Sequence, residues 1–138
     1  MTGAARVLLL SADLLFASRV EGLLAAAREQ VELIGDAARL RARLRDDAAP
    51  RAAVLIVDLT DAQLGGEEIV RCLGAEQGGQ RSAPKTLGFY SHVDAHARER
   101  ALDAGFEMVV PRSRMAREGA ELVARLAQSE DDGRREQR

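Results

Sequence analysis

Aromatic side chains are scarce in this sequence, whose 138 residues include three Phe, one Tyr and no Trp. Binding of nucleic acid by base stacking needs exposed rings, so the composition argues against that function. An excess of one sign of charge is also missing, because 20 basic residues face 22 acidic ones and the formal net charge is −2. This balance gives no long-range field that would steer the protein onto nucleic acid or an anionic membrane.

Cysteine and long apolar runs are equally rare. Cys72 is the single cysteine, which excludes an internal disulfide or a thiolate metal cluster. Its helical surroundings predict a buried, small apolar residue. No run approaches the roughly 18 apolar residues of a membrane span. Val7–Leu10 is too short for the core of a signal peptide. We therefore expect a soluble, cytoplasmic protein.

Hydrophobic residues make up 46% of the chain, which is enough for a core, and they fall in two alternating patterns. Most of the short apolar runs are near-continuous, as is typical of strands buried on both faces of a parallel sheet. The run Val31–Ile34 is weaker and is predicted to be an outer strand. The predicted strands are Val7–Leu10, Val31–Ile34, Val54–Val57, Thr86–Tyr90 and Met108–Val110.

Segments with helical spacing separate these runs. The first helix is expected to follow an N-cap at Asp13, and the fourth to begin at the N-cap Asp94 and end at Ala104-Gly105. The fifth is predicted from about Met115 to Ala127. Five β-α units in succession predict a doubly wound α/β fold, with a parallel sheet covered by helices on both faces.

The domain is expected to span residues 1–127, followed by a charged and disordered tail over 128–138. The stretch Glu76–Pro84 is predicted to be a flexible loop. On the second helix, four arginines indicate either a site for a polyanion or, as we prefer, a solvated face. They are Arg39, Arg41, Arg43 and Arg45.

Ligands of an open parallel sheet gather at the carboxyl ends of its strands. A carboxylate there can attack a phosphoryl group, while a hydroxyl and a cation hold the phosphoryl oxygens. The residues expected just past the strands are Ser11, Ala12, Asp13, Asp58, Ser91, His92, Pro111, Arg112 and Ser113.

The order and spacing of these residues resemble the receiver domain of bacterial two-component response regulators, over roughly residues 6 to 127. Asp58 falls at the phospho-acceptor position of that family, and Gly66 at its loop glycine before the third helix. Ser91 falls at the switch Ser/Thr position, next to Tyr90 as a candidate switch aromatic, and Ala104-Gly105 ends the fourth helix. The resemblance implies a CheY-like, flavodoxin-like five-stranded sheet with strand order 2-1-3-4-5.

The sequence departs from the family at the positions that support phosphorylation. Ser11 and Ala12 occupy the places of the Mg²⁺-binding acidic pair, and the nearest acid is Asp13. By counting from Ala104-Gly105, Arg112 takes the place of the lysine, although a one-residue gap would put Pro111 there. Because Mg²⁺ needs carboxylate oxygens in fixed geometry, we predict no bound metal and no cofactor.

We therefore expect an atypical, stand-alone receiver (a pseudo-receiver) that is not an enzyme and acts as a signalling interaction module. The resemblance implies docking through the fourth helix, fifth strand and fifth helix. The partner is expected to be a protein such as a histidine kinase or a downstream regulator, with no nucleic acid or membrane involved. A homodimer through the last helix is a further option.

Two other functions stay open. The chain could be a phosphorylatable single-domain response regulator that accepts phosphate at Asp58 from a histidine kinase. It could also be a small-anion binder or an orphan enzyme at the strand-end edge, where Pro111–Arg114 carries two arginines. His92 and His96 have a spacing found in zinc sites, but a structural or signalling role is preferred because His92 would precede the helix. The partner, the pathway and the oligomeric state are not specified by the sequence.

Overall fold

A computed structural model describes residues 6–75 and 83–136, with the last eight of these described for the backbone only. All five predicted strands are present, and their ends differ from the predicted ones by at most one residue. The elements in chain order are β1 (Val7–Leu10), α1 (Leu14–Ala26), β2 (Val31–Ile34), α2 (Ala37–Arg45), β3 (Val54–Asp58), a short 3-10 turn (Ala62–Leu64), α3 (Gly66–Ala75), β4 (Lys85–Tyr90), α4 (Ala97–Ala104), β5 (Met108–Pro111) and α5 (Arg112–Glu136).

The five strands form one parallel sheet in the order β2-β1-β3-β4-β5, which confirms the predicted fold class. The chain runs outward from β1 to β2 and then from β3 to β5 in the opposite direction, so the strand order switches between β1 and β3. In the register, Leu10 pairs with Val57 and Asp58 pairs with Phe89. The carboxyl ends of β1, β3 and β4 therefore meet at one edge, beside the switch.

The core has two halves, one on each face of the sheet. Alternate residues of β1 point to opposite faces, so Val7 and Leu9 belong to the half covered by α1 and α5. Leu8 and Leu10 belong to the half that includes α2, α3 and α4. All four are fully buried, which explains why this strand is apolar at every position.

The structure confirms several local predictions. Asp13 is the N-cap of α1, where its carboxylate accepts a hydrogen bond from the backbone N–H of Phe16. Gly105 ends α4 with φ of 113°, a left-handed conformation that favours glycine. Gly88, which interrupts the apolar part of the strand, allows close packing at β4, since a Cβ there would lie 2.6 Å from Cδ1 of Leu59.

Two local predictions are wrong. Asp94 is not the N-cap of α4, because the helix begins at Ala97 and His96 is the capping residue, without a side-chain cap. The Asp94 carboxylate is instead paired with Arg100. Cys72 is exposed rather than buried. Ile69 and Val70 face the core, and two residues past Val70 is roughly 200° around an α-helix, which turns Cys72 outward.

The last helix is longer than the sequence predicted. It runs to Glu136 rather than ending near residue 127, so residues 128–136 continue the helix where a disordered tail was expected. Extending a helix that already packs on the sheet needs no new nucleation, which explains how a polar segment can join it. The division into a domain and a tail stays a prediction. Most of the predicted loop, residues 76–82, lies outside the described residues, as do residues 137 and 138.

No helix in the described part of the chain is long and apolar enough to cross a membrane.

Candidate functional site

Asp58 ends β3 at the strand-end edge, and it is only 2% exposed. Its Oδ2 accepts a hydrogen bond from the hydroxyl of Ser11 at 2.8 Å. Its Oδ1 accepts two from Thr60, from the backbone N–H at 2.8 Å and from the hydroxyl at 2.5 Å. A buried carboxylate is costly unless such donors compensate for the lost water. Asp58 is therefore held by neutral donors of the protein itself.

The backbone places these donors by two local devices. Thr60 lies two residues after Asp58, and a carboxylate that accepts from the N–H two residues on makes an Asx turn. Leu59 ties this turn to β4, because its N–H donates to the carbonyl of Phe89 at 2.8 Å. Ser11 follows β1, the parallel neighbour of β3, and its N–H donates to Ile34 of β2 at 3.1 Å. Sheet pairing on both sides therefore fixes the hydroxyl that contacts Asp58.

The three residues that follow β1, Ser11, Ala12 and Asp13, have separate roles. Ser11 is fully buried and bonded to Asp58, whereas Ala12 is exposed. Asp13 uses Oδ1 to cap α1, and its Oδ2 accepts from Arg112 Nη2 at 3.0 Å. Both carboxylate oxygens of Asp13 thus accept hydrogen bonds, and neither bond involves Asp58.

Arg112 begins α5 and is directed toward α1. Its guanidinium pairs with Asp13 and lies over the ring of Phe16, with 4.3 Å from Cζ to the ring centroid. Phe16 in turn packs on Phe89, with 5.0 Å between the ring centroids. Among the described contacts, none joins Arg112 to Asp58. The role of Phe16 was not predicted, although its position three residues after the cap Asp13 indicates that both side chains lie at the start of α1.

The two switch candidates lie at the same edge but are not bonded to Asp58 in the described contacts. Tyr90 ends β4, is half-buried and packs against the core half that contains α3 and α4. Ser91 is also half-buried, and its hydroxyl accepts from the N–H of Val93 at 3.5 Å. The structure thus brings together Asp58, Ser11 and Thr60 as one group, and Asp13, Arg112 and Phe16 as another. The two groups are connected by the N–H of Asp13, which donates to the hydroxyl of Ser11 at 3.2 Å.

His92 and His96 are both exposed, and His92 lies outside α4. Among the side chains that the structure describes, in residues 6–75 and 83–128, no three His, Cys, Asp or Glu residues lie close enough together to hold a metal ion.

A groove of about 400 Å³ opens beside Asp58, between the end of β3, the start of α3 and the β4–α4 loop. Arg100 of α4 crosses it, with Nη2 2.7 Å from Asp94 Oδ2 and Nε 3.7 Å from Glu67 Oε1. The hydrogen bond from Arg100 lowers the pKa of Asp94 below its usual value. This pair was not predictable from the sequence, since a separation of six residues is not a neighbour spacing on a helix. Arg100 thus pairs with two of the acids that line the groove, Asp94 and Glu67.

Comparison with solved structures shows which fold this is. The chain aligns with a CheY-like receiver domain protein from Methanospirillum hungatei at 14% identity and a TM-score of 0.76, over 95% of this chain and 99% of that one. It aligns with the receiver domain of a sensor histidine kinase from Pseudomonas aeruginosa, which has a magnesium ion coordinated in its active-site cleft. The identity there is 19% and the TM-score 0.73, over 91% and 99% of the two chains.

A third similar structure is described as one of a family of redox sensors in the streptococci that evolved from two-component response regulators. Its identity to this chain is 12% and its TM-score 0.75, and the alignment covers 97% of this chain and 55% of that one. No family model matches the sequence, and no curated protein does. The chain therefore has the fold of response-regulator receiver domains.

Proposed function

We propose that this protein is an atypical receiver domain that signals through contacts with other proteins, without Mg²⁺-dependent phosphotransfer. The observation that supports this is the hydrogen bonding of Asp58, whose two carboxylate oxygens accept three bonds from Ser11 and Thr60. These hydroxyls satisfy the carboxylate without a cation.

The positions around Asp58 favour this function over phosphotransfer. Moving a phosphoryl group onto a carboxylate needs a large counter-charge, which Mg²⁺ supplies in many phosphoryl-transfer sites. Ser11 offers a neutral hydroxyl, and Asp13 already balances the charge of Arg112. The magnesium-containing Pseudomonas receiver domain is the contrasting case. On this proposal the protein is not an enzyme, acts in the cytoplasm and uses neither metal nor cofactor.

Exposed apolar side chains support contact with another protein. Within the described residues, Leu14, Leu15 and Val93 are 67%, 85% and 82% exposed, and all three closely follow the ends of β1 or β4. A fourth, Leu102, lies on α4. Solvent-exposed apolar groups of this kind mark interaction surfaces when they cluster. We propose the surface of α4, β5 and α5, together with this edge, as the docking region for a histidine kinase, a downstream regulator or a second copy of the chain.

The alternative is a phosphorylatable regulator, and one observation favours it. Asp58 keeps its place at the end of β3, beside the groove of about 400 Å³. A rearrangement that frees Asp58 from Ser11 and Thr60 would expose the carboxylate to a phosphodonor.

An amide NMR titration with Mg²⁺, followed by beryllofluoride, separates the two functions. We expect no shifts clustered around Asp58, Ser91 and Arg112. As a positive control, Ala12→Asp restores one acid of the missing pair at an exposed position, and it should introduce Mg²⁺-dependent shifts at the strand-end edge. Shifts in the unaltered protein that disappear in Asp58→Asn would overturn the proposal in favour of the phosphorylatable regulator.

A further inference from the structure

A small groove with an apolar floor and a basic rim separates α2 from α3, on the face of the sheet away from α1 and α5. Its volume is about 100 Å³. It is lined by Arg41, Leu44, Arg45, Ile69, Cys72 and Leu73. Pockets for small organic ligands occupy roughly 300–1,000 Å³, so this groove is suited to a single inserted side chain rather than to a cofactor.

The four arginines of α2 differ in their surroundings. Arg39 pairs with Asp36, and Arg43 pairs with Glu32 and also donates to the carbonyl of Pro50. In the part of the chain that the structure describes, no hydrogen bond or ion pair is found for the other two, Arg41 and Arg45, and these two line the groove. They lie four residues apart on one helix face, where like charges repel each other.

The acids on the other wall do not neutralise this pair. Glu68 is the acid of α3 nearest to Cys72, and it is engaged by Arg71 at 2.9 Å. Glu67 lies near Arg100, at the opposite side of α3. Among the described residues, the groove therefore presents two guanidinium groups without counter-ions, next to the apolar side chains of Leu44 and Leu73.

We infer that the groove between α2 and α3 binds an acidic, amphipathic helical segment of a partner protein. One apolar side chain would enter the groove, and carboxylates on either side of it would pair with Arg41 and Arg45. Guanidinium groups bind carboxylates in a bidentate manner. The apolar floor favours such a segment over a nucleic acid, whose phosphates offer nothing to bury there. This surface is separate from Asp58 and from the docking region proposed above.

Cys72 provides a reporter for this site. It is the single cysteine of the chain, it is exposed and it lines the groove. A bound segment would cover the thiol, and the rate of alkylation depends on access to it. Intact-mass measurement of iodoacetamide addition therefore reads occupancy of the groove directly.

The probe is a synthetic helical peptide with leucines one helical turn apart and glutamates beside them. We expect it to slow alkylation of Cys72 by at least about fivefold at saturation. In the variant with Arg41→Gln and Arg45→Gln, the peptide concentration needed for half-protection should rise roughly tenfold. The matched control, Arg19→Gln with Arg125→Gln, removes two exposed arginines from α1 and α5 and should leave protection unchanged.

Three results with peptides would overturn the inference. They are absence of protection, equal protection by a peptide with lysines in place of the glutamates, and protection that survives the loss of Arg41 and Arg45. Equal protection by single-stranded DNA would also overturn it, because it would identify a general polyanion site. Amide NMR spectra confirm that each variant is folded, and alkylation without peptide gives the reference rate for each variant. None of these outcomes depends on the Mg²⁺ titration, so this inference and the proposed function fail separately.

Discussion

Ser11 occupies a position where receiver domains carry an acid, and its hydroxyl lies 2.8 Å from the buried carboxylate of Asp58. Replacing it with alanine removes a donor from a charged group that water cannot reach. We expect Ser11→Ala to lower the free energy of unfolding by about 1–3 kcal/mol in urea denaturation. Ser18→Ala, at an exposed position of α1, is the matched control. Equal effects of the two changes would show that Asp58 does not depend on Ser11.

The energy of the ion pair between Arg112 and Asp13 can be measured separately from that of the helix cap, because asparagine also caps helices well. Asp13→Asn keeps the cap of α1 and removes the charge that faces Arg112. Both side chains are nearly half exposed, so the coupling in a double-mutant cycle with Arg112→Gln should be about 0.2–1 kcal/mol and should shrink in high salt. A coupling of zero at low salt would contradict a stabilising pair between Arg112 and Asp13.

At the scale of elements, Arg100 connects α4 to the β4–α4 loop through Asp94. Because this hydrogen bond lowers the pKa of Asp94 in the folded protein, the stabilisation is present above the unfolded pKa and is lost as pH falls through the folded pKa. Arg100→Gln should return the pKa of Asp94 toward its usual value in a carboxyl ¹³C NMR titration. Arg98→Gln, on the exposed side of the same helix, should not change it. The pairing would be ruled out if both variants titrated alike.

The sequence predicted the elements well and their polar contacts less well, for a physical reason. Strand positions follow from apolar runs, and the caps at Asp13 and Gly105 depend on residues close in sequence. The partners of Asp94 and Arg112 depend instead on side-chain reach across loops. Local patterns do not encode that reach. They indicate a cap at Asp94 and a phosphoryl ligand at Arg112, whereas the structure places both residues in ion pairs instead. The prediction that Cys72 is buried was wrong because a helix of three turns has too few apolar residues to indicate which of its faces is buried.

For the whole molecule, the order of β-α units was sufficient to predict the sheet, its helices on both faces and the edge where Asp58 lies. Right-handed crossovers leave few topologies for five such units. The chemistry of the edge was only partly predictable. The loss of the acidic pair was visible in Ser11 and Ala12, but the donor role of Thr60 required the turn after β3 to be known. The fold thus specifies where a site lies, and side-chain contacts decide what it does.

The part of α5 beyond its predicted end near residue 127 can be tested by truncation. Of the α5 residues whose side chains are described, the last buried one is Leu126, and Gln128 is already exposed. Removing residues 129–138 should therefore change the free energy of unfolding by no more than about 0.5 kcal/mol in urea, while the helical circular dichroism signal falls. Leu126→Ala, as a control for contact with the core, should cost about 2–5 kcal/mol. A loss above about 1 kcal/mol on truncation would mean that the extension packs against the domain.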